Sequence, residues 1–198
     1  DAKAVCFTTP IERDCSADTM WPYHAKPAVV SFGTSMPGGD PAAQRRLFFE
    51  QFPQLDGRRF FLLLSRIHPK KGCNLAIDAF ARLAEAHPDL DLVIAGPDES
   101  GLWPKLAAQA AARGVGHRLH WTGMLMGDLK WGAIRAAAAF VLPSHQENFC
   151  VAAVEALAAR LPVLISNKIN IWPDIAEDEA GLVDEDTEEG TLRLMNRF

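Results

Sequence analysis

Apolar and polar positions along this chain switch between a strand-like and a helical pattern, and the order of the switches predicts most of its elements. "RFFLLLSRI" (59–67) and "LDLVIAG" are short, nearly continuous apolar runs, the signature of strands covered on both faces. Between them, "CNLAIDAFARLAEAHP" sets Leu75, Ala76, Ala79, Phe80, Leu83 and Ala84 at helical spacing, and Pro88 stops the run. "LWPKLAAQAAARG" predicts a helix with a glycine stop at Gly114, "RLHWTG" a strand, "GDLKWGAIRAAA" a helix and "AFVLPS" a strand. "PSHQENFCVAAVEALAARLP" carries the next helix; "PVLIS" (162–166), the short "IWPDIAEDEA" and "GLVDE" complete the series. This alternation predicts an α/β fold, a doubly wound parallel sheet that binds ligands at the carboxyl ends of its strands.

Residues 1–58 read differently. "AVCFTT" and "AVVSFG" predict two strands, "SMPGGDPAAQ" is turn-rich, and "PAAQRRLFFEQF" is a polar and aromatic helix. Two strands rarely make a stable sheet, so residues 1–58 are expected to be the tail of a preceding domain with an interdomain linker, and 59–198 a domain of their own.

Composition narrows the partners. A net charge of −5 and a pI near 5.7 give no basic surface for nucleic acid. No apolar run approaches the ~20 residues that cross a bilayer, and "DAKAVCFTTP" lacks a basic region followed by an apolar signal core. Cys6, Cys15, Cys73 and Cys150 show neither paired metal spacing nor disulfide density. Reduced thiols in a cytoplasmic protein, with no metal, are the expectation.

Three places carry candidate chemistry. Glu155 is the one charged side chain between Phe149 and Ala159. Its helical neighbours Val151, Ala152, Ala158 and Ala159 cannot pair with it; the plain reading is that it reaches water at the domain surface, but the uncharged surroundings favour a ligand or another element as the source of donors, and a sugar hydroxyl pair would suit. Glu147 and Asn148 stand where strand gives way to helix, which predicts outward backbone N–H groups at Asn148, Phe149 and Cys150 able to hold phosphate. Simple capping by Asn148 is the competing reading. "SRIHPKKG" places Arg66 and Lys71 at the end of a buried strand, beside Gly72, where they suit a diphosphate or, more plainly, a solvated surface.

"LLSRIHPKKG", "DLDLVIAGP", "LHWTG", "FVLPSHQENFCVAAVEALAARLPVL" and "AGLVDED" occur in an order and spacing that resembles the carboxyl-terminal domain of retaining GT-B glycosyltransferases, glycosyl transferase group 1. The resemblance covers about residues 59–186. It implies a Rossmann-like domain that holds a nucleotide-diphosphate sugar without a metal, and transfer to a glycan, lipid or small-molecule acceptor with retained configuration. Arg66 and Lys71 would contact the diphosphate, Glu147 and the amides of Asn148, Phe149 and Cys150 the sugar and phosphate, and Glu155 the ribose. Backbone around Met124 and Leu125 would border the base. The leaving phosphate would itself take the acceptor's proton. Residues 1–58 would then end an acceptor domain, most of which is missing, and "EGTLRLMNRF" is too short for the closing helix; association of the full protein with a membrane stays open.

The departures are Cys150 and Arg160 where the family favours glycine, and "SNKINIWPDI" in place of a glycine-rich stretch ending in glutamate, with Asp174 the nearest acid. Asp89 to Asp91 read as a strand-entry turn, "DED" (184–186) as a solvated loop, His68 and His145 as structural or solvated, and Trp103, Trp131 and Trp172 as helix packing. Two other readings compete with the transferase: a module that binds a nucleotide or nucleotide sugar without turnover, and a sugar epimerase on the same fold.

Overall fold

A computed structural model of the chain describes residues 3–19, 26–34 and 38–198. Part of the turn-rich stretch at 35–44 lies outside the described residues.

Six strands form one all-parallel sheet: β3 (Arg59–Leu64), β4 (Leu90–Ala95), β5 (Leu119–Trp121), β6 (Ala139–Leu142), β7 (Val163–Ser166) and β8 (Gly181–Asp184), in the spatial order β5-β4-β3-β6-β7-β8. Leu62 of β3 pairs with Val93 on one side and Phe140 on the other, so the middle of the sheet is aliphatic and aromatic throughout. The continuous apolar runs are explained by burial on both faces: β4, β6 and β7 carry no exposed residue. Helices α3 (Cys73–Ala84) and α4 (Trp103–Ala112) connect β3, β4 and β5, and α5 (Gly127–Ala136) returns the chain to β6 beside β3. Helices α6 (Val151–Ala158) and α7 (Trp172–Glu177) then carry it outward to β8. Right-handed crossovers set α3 and α4 on one face and α5, α6 and α7 on the other. The last helix, α8 (Glu188–Asn196), packs back on α3 with Leu194 fully buried.

Ahead of this sheet, β1 (Val5–Phe7) and β2 (Pro27–Val29) pair in parallel, with α1 (Pro10–Thr19) after β1. The hydrophobic pattern does not predict α1, which buries none of its residues. Its signal is instead "TPIE": Thr9 Oγ1 accepts from the Glu12 N–H at 3.1 Å, Glu12 reaches back to the Thr8 N–H at 2.6 Å, and Pro10 opens the helix. The linker helix α2 (Pro41–Gln51) is capped by Asp40, which accepts from the Ala42 N–H at 3.0 Å. It packs on α5, where a Cβ at Gly132 would overlap the Gln44 carbonyl.

Two readings of acidic runs are corrected. Asp91 is not in a turn; it is the second residue of β4, 2% exposed, and accepts from Arg58 at 3.0 and 2.5 Å with His120 Nε2 at 3.0 Å and Arg118 at 3.6 Å. This cluster lies at the amino end of the sheet, away from the ligand-binding end. In 184–186, Asp184 pairs with Arg193 of α8 at 2.5 and 2.9 Å and Asp186 with His145 Nδ1 at 2.8 Å, because β8 delivers them to neighbouring elements rather than to water.

Candidate functional site

The chain reverses direction across the sheet between β3 and β6, and the loops leaving those two strands diverge at their carboxyl ends. They stay laced together near the sheet. The Lys70 carbonyl accepts from the His145 N–H at 2.8 Å and from Ser144 Oγ at 2.7 Å. Gly72 makes that approach feasible: its φ is 66°, and a Cβ there would overlap the Pro143 carbonyl oxygen. A third loop joins them, since the Glu147 N–H bonds Lys168 and the Asn170 N–H bonds Glu147, both at 3.0 Å.

Lys71 and Glu147, 76 residues apart in sequence, meet in a direct ion pair in this crevice. Burial pulls the Lys71 ammonium below the ordinary lysine range, and the Arg66 and Lys70 charges act in the same direction. Arg66 itself reaches outward, its side chain 61% exposed and paired with Glu99 at 3.6 Å. His68 stays structural in this arrangement, its Nδ1 accepting from the Lys70 N–H at 3.1 Å.

Helix α6 opens at Val151, three residues beyond Asn148, because Cys150 takes the left-handed conformation (φ 59°, ψ 70°) and breaks the helix there. Asn148 is therefore not the cap. Its Nδ2 donates to Thr8 Oγ1 at 2.9 Å, and its Oδ1 accepts from Asn170 at 3.2 Å. The N–H groups from Asn148 to Ala152 carry no hydrogen-bond partner among the described residues, a run that includes the three amides expected from sequence and continues into the first turn of α6. Cys150 itself is 7% exposed, and burial pushes its thiol up to about 11. The Phe149 ring meets Phe32 edge-on at 5.5 Å, which turns its side chain toward the amino-terminal segment.

Glu155 finds its partner on another element: Lys130 Nζ of α5 lies 2.6 Å from Oε1. Sequence spacing does not reach that lysine, 25 residues away on a separate helix. Leu125 is buried at 6% exposure while Met124 is 64% exposed, so the loop after β5 is pinned by one and presents the other. Beside Glu147 lies a polar cleft of about 570 Å³ between α1 and the loops after β6 and β7, with Glu12, Asn148, Asn167 and Asn170 on its walls. Sequence reasoning assigns no site residue to α1 or to the loop after β7, although it notes that loop as a departure from the family pattern. Among the described residues no group of three or more His, Cys, Asp or Glu side chains is arranged to hold a metal, and no helix is long and apolar enough to cross a membrane.

The model for glycosyl transferases group 1 matches residues 44–196. The chain is 28% identical over 164 residues to D-inositol 3-phosphate glycosyltransferase of Acidothermus cellulolyticus, covering 79% of this chain and 36% of that protein. It is 37% identical over 121 residues to glycogen synthase of Mycobacterium tuberculosis, covering 61% and 29%. Among solved structures, a glycosyltransferase from Rickettsia africae superposes with a TM-score of 0.84 at 16% identity over 98% of this chain and 52% of that one. HepE of Anabaena in complex with UDP-glucose does so at 0.84 and 18% identity, over 99% and 54%. The architecture is thus that of the GT-B glycosyltransferases. The chain belongs to the glycosyl transferases group 1 family, and it spans about a third of the length of these curated relatives.

Proposed function

We propose that this chain is the donor-binding half of a retaining, cytoplasmic glycosyltransferase that transfers a sugar from a nucleotide-diphosphate donor without a metal. One observation carries the reading: Lys71, Glu147 and the unpartnered amides of Cys150, Val151 and Ala152 converge at the switch point of the sheet. Charge develops on the β-phosphate as its bond to the anomeric carbon breaks. A fixed ammonium and fixed N–H dipoles in a partly desolvated crevice stabilise that charge without reorganising. Arg66 adds a forked donor at the rim. Glu147, held by Lys71 until donor arrives, faces the sugar. The acceptor oxygen forms the new bond on the face the phosphate leaves, and its proton passes to that phosphate. Exposed Met124 and the backbone at Leu125 border the base; residues 1–58 end the acceptor domain.

Lys71→Ala in a form carrying both domains should lower turnover on the order of 100-fold. A transfer assay reads this, and near-normal turnover overturns the role. Calorimetry of this chain against UDP, GDP and ADP tests the pocket itself, and no binding at millimolar concentration overturns the assignment. Donor binding with no transfer even in the longer form favours the binding module or the epimerase.

A further inference from the structure

The loop after β7 holds a polar group that no other described residue satisfies. Asn167 Oδ1 is buried without a hydrogen-bond partner, and the rest of that side-chain amide makes no bond among the described residues. The neighbouring amides differ: Asn170 donates to Asn148 at 3.2 Å and Asn148 to Thr8 at 2.9 Å, which commits them to each other and to the amino-terminal unit. Asn167 is anchored through its backbone, the N–H donating to the Asp184 carbonyl at 2.8 Å. An amide oxygen buried unpaired carries a desolvation cost that a hydrogen bond from a ligand would remove.

Asn167 stands on the wall of the polar cleft beside Glu147, whose volume of about 570 Å³ lies within the roughly 300–1,000 Å³ of small-molecule sites. The facing wall is α1. Ile11, Cys15, Ser16 and Thr19 set one side of that helix along the cleft, about 12 Å from end to end at 1.5 Å per residue. This accounts for a helix that buries none of its residues: the side it turns to the loops meets an open cleft and not a core.

The chemistry of the walls decides what fits. Two carboxylates, Glu12 and Glu147, and one lysine, Lys168, carry their charge, with His145 paired to Asp186 at 2.8 Å. Hydrogen bonds from Asn148 and Thr8 hold the Glu12 carboxyl below its usual range, so it is ionised at neutral pH. Among the described residues no arginine lines the cleft, and Ile11 is its one aliphatic side chain. A phosphomonoester would meet carboxylates where it needs a forked cation, and an acyl chain would find almost no apolar wall. Hydroxyl groups suit these walls, because carboxylates accept from them and an amide both accepts and donates.

We propose that this cleft takes an uncharged, polyhydroxylated acceptor, a sugar or polyol, and that Asn167 binds two of its neighbouring hydroxyls, accepting from one and donating to the other. The proposal rests on the donor-site reading above, which sets the transferred sugar against Glu147, and adds the class of compound that meets it there. A hydroxyl oxygen of the acceptor bonds to the anomeric carbon as the bond from that carbon to the β-phosphate oxygen breaks. The hydroxyl proton leaves on the nucleoside diphosphate.

The test is transfer by a form carrying the complete amino-terminal domain, with UDP-glucose, GDP-mannose and ADP-glucose as donors. Acceptors are offered in pairs, glucose, mannose and myo-inositol each beside its monophosphate, with a polyprenyl phosphate in detergent as the lipid. At least one neutral acceptor should speed release of nucleoside diphosphate, with a kcat/KM about tenfold or more above that of its phosphate. Asn167→Ala should raise the KM for that acceptor about tenfold and leave the donor KM within about twofold. It should melt no lower than the wild type, since it removes an unpaired buried group, whereas a merely structural Asn167 would lower the melt. Preference for a phosphorylated acceptor or the polyprenyl phosphate, or no response to any neutral one, overturns the acceptor class. A folded Asn167→Ala with an unchanged acceptor KM overturns the role of Asn167. Those results leave the donor site standing, which calorimetry of this chain with UDP, GDP and ADP reads separately. Absence of all nucleotide binding overturns the donor site and the acceptor cleft with it.

Discussion

Cys150, Arg160 and Glu179 hold left-handed backbone without being glycine, with φ of 59°, 63° and 52°. A Cβ costs roughly 1–2 kcal/mol in that region. Arg160 shows why the position exists: the Leu161 N–H bonds Ala156 at 2.9 Å and the Arg160 N–H bonds Leu157 at 2.8 Å, the two closing bonds of a Schellman ending to α6. The side chain is exposed and makes no ion pair among the described residues. Arg160→Gly should therefore stabilise the chain by about 0.5–1 kcal/mol, the strain relieved less the extra entropy of glycine. A thermal melt should show a midpoint about 1–4 °C higher. A midpoint that falls would mean that the guanidinium has a role its contacts do not reveal. Cys150→Gly relieves the same strain but empties a buried side-chain position, so its gain should be smaller. Both positions are legible in the sequence as departures from glycine. Their physical cause, positive φ at either end of the same short helix, needs the backbone. Lys130 was not legible at all, because nothing local to α5 ties a lysine there to a carboxylate on α6.

At the scale of elements, what the sequence reveals depends on how much of each element is buried. Strands such as β4, all six residues buried, announce themselves. Helix α1, with nothing buried, is visible only through the capping pattern at Thr9 and Glu12. Helix α6 starts later than the sequence pattern predicts because no propensity rule stops a helix at Cys150. The loop after β3 makes the sharpest claim: Gly72→Ala would demand both positive φ and room that the Pro143 carbonyl occupies. It should cost more than the roughly 1–2 kcal/mol of backbone strain alone, and should weaken nucleotide binding by displacing Lys71. Urea unfolding and calorimetry on the same variant separate the two effects, and unchanged values for both would contradict the close approach. Helix α8 depends on Asp184, whose carboxyl is held below the usual range chiefly by its hydrogen bonds with Arg193. A folded-state pKa below the unfolded value contributes stability above the unfolded pKa, and that contribution is lost as pH falls through the folded one. Asp184→Asn should thus be less stable than the wild type near about pH 7, with the gap closing below the ordinary aspartate value of about 3.9. Melts at the two ends of that range that differ by a constant amount would contradict the assignment.

For the whole molecule, the question is what the amino-terminal unit contributes. Strands β1 and β2 expose Val5 and Val29, the residues after β2 expose Val30 and Phe32, and a two-stranded sheet with that much open apolar surface is poorly stable by itself. It is tied to the crevice at the carboxyl end of the sheet by a polar chain: Asn170 donates to Asn148, Asn148 to Thr8, and Thr8 Oγ1 to Glu12 at 2.9 Å. Asn148, followed by the Thr8 N–H, holds the Glu12 carboxyl below its usual range, which marks the contact as electrostatically satisfied. The polar cleft between α1 and those loops thus has a wall from each unit, and opens beside Glu147, where the transferred sugar would lie. The residues proposed to hold the donor lie within 66–155, those proposed to end an acceptor domain within 1–58, and the chain covers 52–54% of the structures it superposes on. Binding and turnover should therefore separate. This chain should bind a nucleoside diphosphate within about tenfold of a form carrying the complete amino-terminal domain, because the groups proposed to hold it are all present. Transfer to any acceptor should be confined to the longer form, since positioning the second reactant supplies much of the rate. Calorimetry and a transfer assay run side by side on the two forms decide it. Equal transfer by both would mean that the cleft lined by α1 already makes a complete acceptor site. Binding confined to the longer form would mean that the amino-terminal domain supplies donor contacts as well.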